Sequence, residues 1–91
     1  MDLTRYVGPA IRSFRLEAEL SQEELAARAD LDRTYISGVE RGRRNPTVET
    51  LQSIVHALGV GLDSLFGRAR ELANSSVHAT RKRRGRSSKK S

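Results

Sequence analysis

Apolar residues recur at spacings of three and four along the first two thirds of the chain, which is the pattern of helices that bury one face. No stretch alternates apolar and polar residues with a period of two, as a half-buried strand does. Glycine, proline and aspartate divide the periodic region into five segments. The pattern therefore predicts an all-α fold, a compact five-helix domain.

Proline and capping residues set the bounds of the first two predicted helices. The first helix begins near Gly8, since Pro9 is tolerated without cost only in a first turn. Its apolar stripe consists of Val7, Ile11, Phe14 and Ala18. The second helix opens with a capping box, in which Ser21 is the N-cap and Glu24 reaches back to it. Its buried side consists of Leu25, Ala26 and Ala29.

A break of three residues, 30–32, separates the second helix from a third that runs from Arg33 to about Arg41. Asp32 is a favourable N-cap for this helix, and Gly42 ends it. The fourth helix follows a turn and cap at 45–47 and runs to Leu58. A fifth opens at 61–63 and extends through Leu72. The predicted buried residues of the last three helices are Ile36, Val39, Leu51, Ile54, Val55, Leu58, Leu62, Leu65 and Phe66.

The net charge of +6 is concentrated at the C-terminus. Residues 1–80 carry a net charge of −1, whereas residues 81–90 hold seven basic residues and no acidic one. After residue 73 the only apolar residues are Val77 and Ala79. A segment that can bury so little apolar surface does not offset the loss of conformational entropy that folding requires. We expect a folded domain at residues 1–73 and a disordered basic tail at 74–91. The tail would add non-specific affinity for DNA, enter a minor groove or aid solubility.

Composition excludes several classes of function. The chain has no cysteine, and His56 and His78 lie 22 residues apart, so we expect no metal site and no cofactor. A domain of this size rarely encloses a substrate cavity of about 300 Å³, so we do not expect an enzyme. No apolar run approaches the ~20 residues that cross a bilayer, and we see no secretory signal. A soluble, intracellular protein without a membrane partner is expected.

The second and third helices have about eight residues each and a short link, so they must pack on one another to be stable. The spacing of small, turn and apolar residues fits a helix-turn-helix, and these positions are Gln22, Ala26, Asp30, Ile36 and Val39. Opposite its buried side, the third helix carries Arg33, Thr34, Ser37, Gly38 and Arg41. Arginine donates two hydrogen bonds to guanine, and threonine contacts base edges or the thymine methyl group. This face suits the major groove of DNA.

Three stretches, 21–26, 36–46 and 58–60, together resemble the lambda-repressor/Cro (XRE-type) helix-turn-helix family of transcriptional regulators. They read SQEELA, ISGVERGRRNP and LGV. The run LDRTYISG at 31–38 is also similar to controller proteins of restriction–modification systems. The similarity extends over roughly residues 7–66.

The resemblance implies a role for individual residues. The implied base contacts are Arg33, Thr34 and Ser37. The implied contacts with the DNA backbone are Gln22, Tyr35, Arg41, Arg43, Arg44 and Asn45. Arg15 and Glu40 match a semi-buried ion pair between the first and third helices. Asp30 stands where the family usually has glycine, which implies a left-handed backbone there.

We therefore expect a sequence-specific, double-stranded DNA-binding transcriptional regulator. One recognition helix covers few base pairs, so we expect a homodimer on a palindromic operator with half-sites about 10 bp apart. The expected dimer interface is on the fifth helix and consists of Leu62, Leu65, Phe66 and Leu72. The resemblance implies a cytoplasmic, nucleoid-associated protein of bacterial or phage origin, with RNA polymerase as a further potential partner.

Two alternatives stay open at this point. The first is a DNA-binding antitoxin whose C-terminal part wraps a toxin, although residues 74–91 offer little apolar surface for that purpose. The second is a helical adaptor or non-specific nucleic-acid binder that acts through its basic tail. The second alternative predicts that changing Arg33 or Thr34 leaves duplex selectivity unaltered.

Overall fold

Five helices make up the computed structural model, which describes the backbone of residues 4–89 and the side chains of residues 4–75. They are α1 (Thr4–Glu17), α2 (Gln22–Ala29), α3 (Arg33–Glu40), α4 (Val48–Leu58) and α5 (Leu62–Lys89). Residues 4–89 contain no strand. The predicted all-α, five-helix class is confirmed.

The start of α1 differs from the prediction. The helix begins at Thr4 rather than near Gly8, and Pro9 is its sixth residue. A proline at this position removes the donor for the carbonyl group of Arg5. Pro9 and Arg5 are both exposed, so water is available to that carbonyl group. Val7 is 7% exposed in the core, and its burial keeps the turn before Pro9 packed on the domain.

The first four helices end in the same backbone motif. In each, a residue with positive φ and the residue after it donate their backbone N–H groups to carbonyl oxygens of the last turn. The residues with positive φ are Glu19, Asp30, Gly42 and Gly59. The left-handed backbone predicted at Asp30 is confirmed, with φ 58°. Glu19, with φ 60°, was not predicted. It ends α1 before Ala18, which is exposed instead of buried, and turns Leu20 into the core.

The core lies where α1, α2, α3 and α4 meet the first part of α5. Its fully buried large side chains are Ile11, Leu25, Ile36, Ile54 and Leu65. Three residues predicted to be buried on the last three helices are more exposed than expected: Leu58 and Leu62 are half-buried, and Phe66 is 40% exposed. The reason is that α5 packs through Leu65, Ala69 and Ala73, a line spaced by four residues that turns Phe66 outward.

Arg68 joins α5 to α1. Its guanidinium carbon lies 4.0 Å from the centre of the Phe14 ring, and Nη1 donates to Ser13 at 2.6 Å and to Glu17 at 2.9 Å. An arginine stacked on an aromatic ring and paired with a carboxylate holds two helix surfaces in register. This contact fixes the direction of α5 relative to the rest of the domain.

Ala73, 1% exposed, is the last buried residue among those whose side chains are described. Helix α5 continues to Lys89, beyond the predicted end at Leu72. The basic tail predicted at 74–91 lies almost wholly outside the described side chains. None of the helices in the described part of the chain is long and apolar enough to cross a membrane.

Candidate nucleic-acid interface

The link between α2 and α3 sets the angle of the helix-turn-helix. The N–H of Leu31 donates to the carbonyl oxygen of Ala26 at 2.9 Å, so the chain reverses within three residues of the end of α2. Ala26 is 3% exposed, and a small residue here lets α3 approach α2 closely. Ile36 and Val39 fill the space beneath with 0% and 2% exposure. Helices α2 and α3 have eight residues each, so side-chain packing between them, rather than helix propensity, stabilises them.

Asp32 caps the N-terminus of α3 as predicted. Its carboxylate accepts from the backbone N–H of Thr34 at 3.1 Å and from the Thr34 hydroxyl at 2.8 Å. These two hydrogen bonds hold the pKa of Asp32 below its ordinary value, and the charges of Arg33 and Arg44 act in the same direction. The Thr34 hydroxyl proton is thus engaged within the cap, while its methyl group and oxygen lone pair stay available outward.

The outer face of α3 brings together the residues predicted to contact bases. Arg33 and Thr34 are exposed and Ser37 is half-buried, whereas Ile36 and Glu40 lie on the inner side. The helix presents two hydroxyl groups and a guanidinium group without a large aliphatic side chain between them. This surface can exchange hydrogen bonds with the edges of base pairs.

The turn after α3 carries four exposed polar residues, which are Arg41, Arg43, Arg44 and Asn45. The N–H groups of Arg43 and Arg44 both donate to the carbonyl oxygen of Gly38, at 2.7 and 3.2 Å. The turn is therefore folded back onto α3, and its positive charges lie beside the face described above. The turn therefore adds three arginines and an amide group beside the outer face of α3.

Tyr35 does not lie free beside this surface. Its hydroxyl is hydrogen-bonded to the hydroxyl of Thr50 at 3.0 Å, and Thr50 in turn contacts the Thr47 hydroxyl at 3.1 Å. The guanidinium carbon of Arg44 lies 5.8 Å from the centre of the Tyr35 ring. Sequence reasoning missed this arrangement, because the partners of Tyr35 come from the next helix and turn.

Gln22 is joined to the ion pair that the resemblance implied. Arg15 donates to both carboxylate oxygens of Glu40, at 2.7 and 3.0 Å, and Gln22 Nε2 donates to Glu40 Oε1 at 3.0 Å. Arg15 also donates to the carbonyl oxygen of Leu20 at 2.9 Å. The hydrogen bonds with Glu40 raise the pKa of the Arg15 guanidinium. The network connects α1, the start of α2 and the end of α3.

The residues expected at a dimer interface differ in accessibility. Leu65 is 0% exposed and belongs to the core of its own chain, so it has no surface to offer a second copy. Phe66 is 40% exposed, and Leu62 and Leu72 are half-buried. The expectation therefore narrows to Leu62, Phe66 and Leu72, with Leu65 supporting the helix from beneath.

A family model described as helix-turn-helix matches residues 11–65, more than half of the chain. The chain belongs to this helix-turn-helix family, of the XRE type. The matched segment begins within α1 and ends within α5, so it includes the whole of α2 to α4. The resemblance inferred from the sequence is confirmed.

Several relatives of this helix-turn-helix chain are similar over most of their length. The HTH-type transcriptional regulator y4dJ of Sinorhizobium fredii is 48% identical over 60 residues, 66% of this chain and 78% of the relative. The control protein C.MunI of Mycoplasma sp is 42% identical over 66 residues, 71% of this chain and 89% of the relative. The crystal structure of the restriction–modification controller protein C.Esp1396I, a tetramer in complex with its natural 35 base-pair operator, superposes with a TM-score of 0.71. The two chains are 39% identical, and the match covers 78% of this chain and 93% of that one.

Proposed function

We propose that this helix-turn-helix protein is a sequence-specific regulator that binds double-stranded operator DNA as a homodimer and inserts α3 into the major groove. One observation carries the proposal. The exposed face of α3 and the turn that follows it form one surface of guanidinium, hydroxyl and amide groups, backed by a helix pair packed on a fully buried Ile36. A rigid polar surface of this kind is what recognition of a groove requires.

Base recognition falls to Arg33, Thr34 and Ser37. Arg33 is in the first turn of α3, the part of a recognition helix that reaches deepest into the groove. Its five donors suit O6 and N7 of guanine. Thr34, with its proton held by Asp32, presents a methyl group for thymine.

Backbone contacts orient the helix and set its register. Arg41 and Arg43 present exposed positive charges, and Asn45 adds an amide group beside them. Gln22 is at the start of α2, where helix N–H groups favour a phosphate oxygen. Such contacts are independent of base sequence and account for salt-dependent affinity.

Dimer formation is proposed because one recognition helix contacts too few base pairs for useful specificity. Two copies related by a two-fold axis would contact half-sites about one helical turn apart. Among the residues of α5 whose side chains are described, Phe66 is the exposed large apolar residue, and the half-buried Leu62 lies one turn before it. The operator complex of the similar protein C.Esp1396I, described as a tetramer, is in keeping with self-association.

The test uses the full chain. A duplex selected by the protein from a random library and a scrambled duplex are titrated by fluorescence anisotropy at about 0.15 M salt, where specific sites bind ~10³-fold or more tighter than non-specific ones. We expect Arg33→Ala to reduce that preference, and Arg70→Ala to preserve it. Arg70 is the matched control because it is an exposed arginine on α5, away from α3. Equal binding of both duplexes by the unmodified protein would refute the proposal.

A further inference from the structure

Arg44 lies along the recognition helix rather than over a separate loop. Asp32, Tyr35 and Gly38 are three residues apart and form one ridge along α3. The Arg44 side chain lies against the last two of them. The turn after α3 makes this possible, because the N–H of Arg44 is hydrogen-bonded to the carbonyl oxygen of Gly38 at 3.2 Å. The side chain therefore begins at Gly38 and runs back towards the start of the helix.

Gly38 leaves the space that the Arg44 side chain occupies. A Cβ atom at Gly38 would lie 2.7 Å from Cγ of Arg44 and 3.6 Å from its Cβ. Position 38 is on the outer face of α3, one turn beyond Thr34, where a longer residue would itself reach into the groove. In this chain the residue at 38 has no side chain, and the stem of Arg44 lies in its place.

The ring of Tyr35 lies near the guanidinium end of Arg44. The guanidinium carbon lies 5.8 Å from the centre of the Tyr35 ring, within the range of a cation–π contact. The ring is itself anchored to α4 through the Tyr35–Thr50 hydrogen bond of 3.0 Å. The Thr34 hydrogen bonds are the main reason for the lowered pKa of Asp32, and the charge of Arg44 contributes in the same direction as that of Arg33.

The guanidinium group of Arg44 lies beside α3 with its donors open to solvent. Arg44 is exposed, and no hydrogen bond or ion pair joins its guanidinium group to another residue in the part of the chain whose side chains are described. An ordered side chain with free donors loses less conformational entropy when it binds than a mobile one does. Arg43, its neighbour in the turn, contacts the ridge through its backbone N–H, and its side chain has no comparable contact among the residues whose side chains are described.

We propose that Arg44 is a specificity-determining residue that contacts a base pair beside those contacted by Arg33 and Thr34, and that Gly38 is its positioning residue. The proposal rests on the proposed DNA-binding function and revises one part of it, because the resemblance assigned Arg44 to the DNA backbone. A guanidinium group beside the base-contacting face matches the paired acceptors of guanine, whereas a phosphate contact would require no such placement.

The first experiment compares Arg44→Ala, Arg44→Lys and Arg43→Ala in the full chain. Each variant is titrated with the selected operator duplex and with duplexes that carry every single base-pair change in one half-site. We expect Arg43→Ala to weaken all duplexes by a common factor. Arg44→Ala should also reduce discrimination at one or two adjacent base pairs by about tenfold or more. Arg44→Lys should keep most of the affinity and lose that discrimination, because lysine lacks the planar pair of donors.

The second experiment uses Gly38→Ala, which leaves Arg44 in the chain and displaces its stem. Alanine favours a helix more than glycine does, so we expect the melting temperature to be maintained. Discrimination should nevertheless fall at the same base pairs as in Arg44→Ala. A selectivity profile unchanged in both Gly38→Ala and Arg44→Lys would overturn the proposal, as would a uniform loss for Arg44→Ala.

The two proposals fail in different ways. If the unmodified protein shows no preference for any duplex, the sequence-specific function itself fails, and the role of Arg44 fails with it. If the unmodified protein discriminates and Arg33→Ala reduces this, while Arg44→Ala behaves as Arg43→Ala does, the function stands and Arg44 is a backbone contact.

Discussion

Arg15 and Glu40 form a two-pronged ion pair between α1 and the end of α3, with their side chains 9% and 2% exposed. Arg15 also donates to the carbonyl oxygen of Leu20, and Glu40 also accepts from Gln22. No buried side-chain nitrogen or oxygen lacks a partner in the described part of the chain. The pair therefore positions α3 on α1 without leaving a polar group unsatisfied.

Removing one partner of this pair should be costly. We expect Glu40→Ala to lower the free energy of unfolding by about 3–5 kcal/mol, because it leaves the Arg15 guanidinium buried without its counter-charge. Urea denaturation of the full chain, followed by circular dichroism, measures the change.

Replacing both partners separates loss of charge from loss of packing. We expect the double variant Arg15→Met, Glu40→Met to recover most of the stability that Glu40→Ala loses, since an apolar pair often substitutes for a buried ion pair. A Glu40→Ala protein as stable as the unmodified one would contradict the role assigned to the pair.

Local chemistry explains which parts of the fold were predictable. The caps at Ser21, Asp32 and Thr47 each involve residues no more than three positions apart, and all three form as the sequence predicts. The start of α1 and the exposure of Phe66 depend on which surfaces of distant helices meet. Periodicity alone places Phe66 next to Leu65 and does not tell which of the two faces α1.

In the candidate site, too, the local features could be predicted from the sequence and the contacts between distant residues could not. The outer face of α3 follows from helical geometry once Ile36 and Val39 are recognised as buried. The contacts of Tyr35 with Thr50 and of Arg44 with the ridge arise from residues 15 and 9 positions apart, through a turn whose course no local motif specifies. The one available signal was Gly38 itself, a glycine inside a short helix that has no conformational need for it.

Gly8 provides a second test of packing, because α1 crosses the end of α3 at this residue. A Cβ atom at Gly8 would lie 2.9 Å from the carbonyl oxygen of Glu40 and nearer still to that of Val39. We therefore expect Gly8→Ala to lower the melting temperature, although alanine is favoured over glycine inside a helix by about 1 kcal/mol.

Gly67 is the matched control for Gly8. It lies inside α5, and a Cβ atom there would meet nothing within 4 Å. Gly67→Ala should raise the melting temperature through helix propensity alone. Stabilisation by both substitutions would show that α1 and α3 are not in close contact at Gly8.

Acid should destabilise the domain through its helix caps. Hydrogen bonds with Ser21 lower the pKa of Glu24 from its ordinary 4.5, and those with Thr34 lower the pKa of Asp32 from 3.8. A carboxylate with a lower pKa in the folded state stabilises that state above the unfolded pKa. This stabilisation is lost as the pH falls below the ordinary pKa of each carboxyl group and through its lower pKa in the folded state.

The variant Asp32→Asn keeps a capping oxygen but does not titrate in this range. We expect its melting temperature to fall less than that of the unmodified protein between about pH 6 and about pH 3. Glu23→Gln is the control, because it removes a carboxylate from the first turn of α2 and leaves the capping box intact. Identical pH profiles for Asp32→Asn and the unmodified protein would rule out a contribution from the α3 cap.

The proposed dimer depends on the exposed apolar part of α5. Phe66→Glu places a charge at an accessible position, so it should dissociate the dimer without removing a core side chain. Leu16→Glu is the control, since Leu16 is 51% exposed and lies on α1. Sedimentation equilibrium measures both. If Leu16→Glu dissociated the dimer and Phe66→Glu did not, the interface would lie on α1 instead.

The slope of DNA affinity against salt concentration reports how many phosphate groups the protein contacts. Each phosphate contact contributes about 0.9 to the slope of log affinity against log salt concentration on duplex DNA. Arg41 is exposed directly after α3, so we expect Arg41→Ala to reduce the slope by about one unit on operator and scrambled duplexes alike. Arg70→Ala, which removes the same charge from α5, should leave the slope unchanged. Anisotropy titrations of the full chain between about 0.05 and about 0.2 M salt measure this slope. Equal slopes for Arg41→Ala and the unmodified protein would exclude Arg41 from the phosphate contacts.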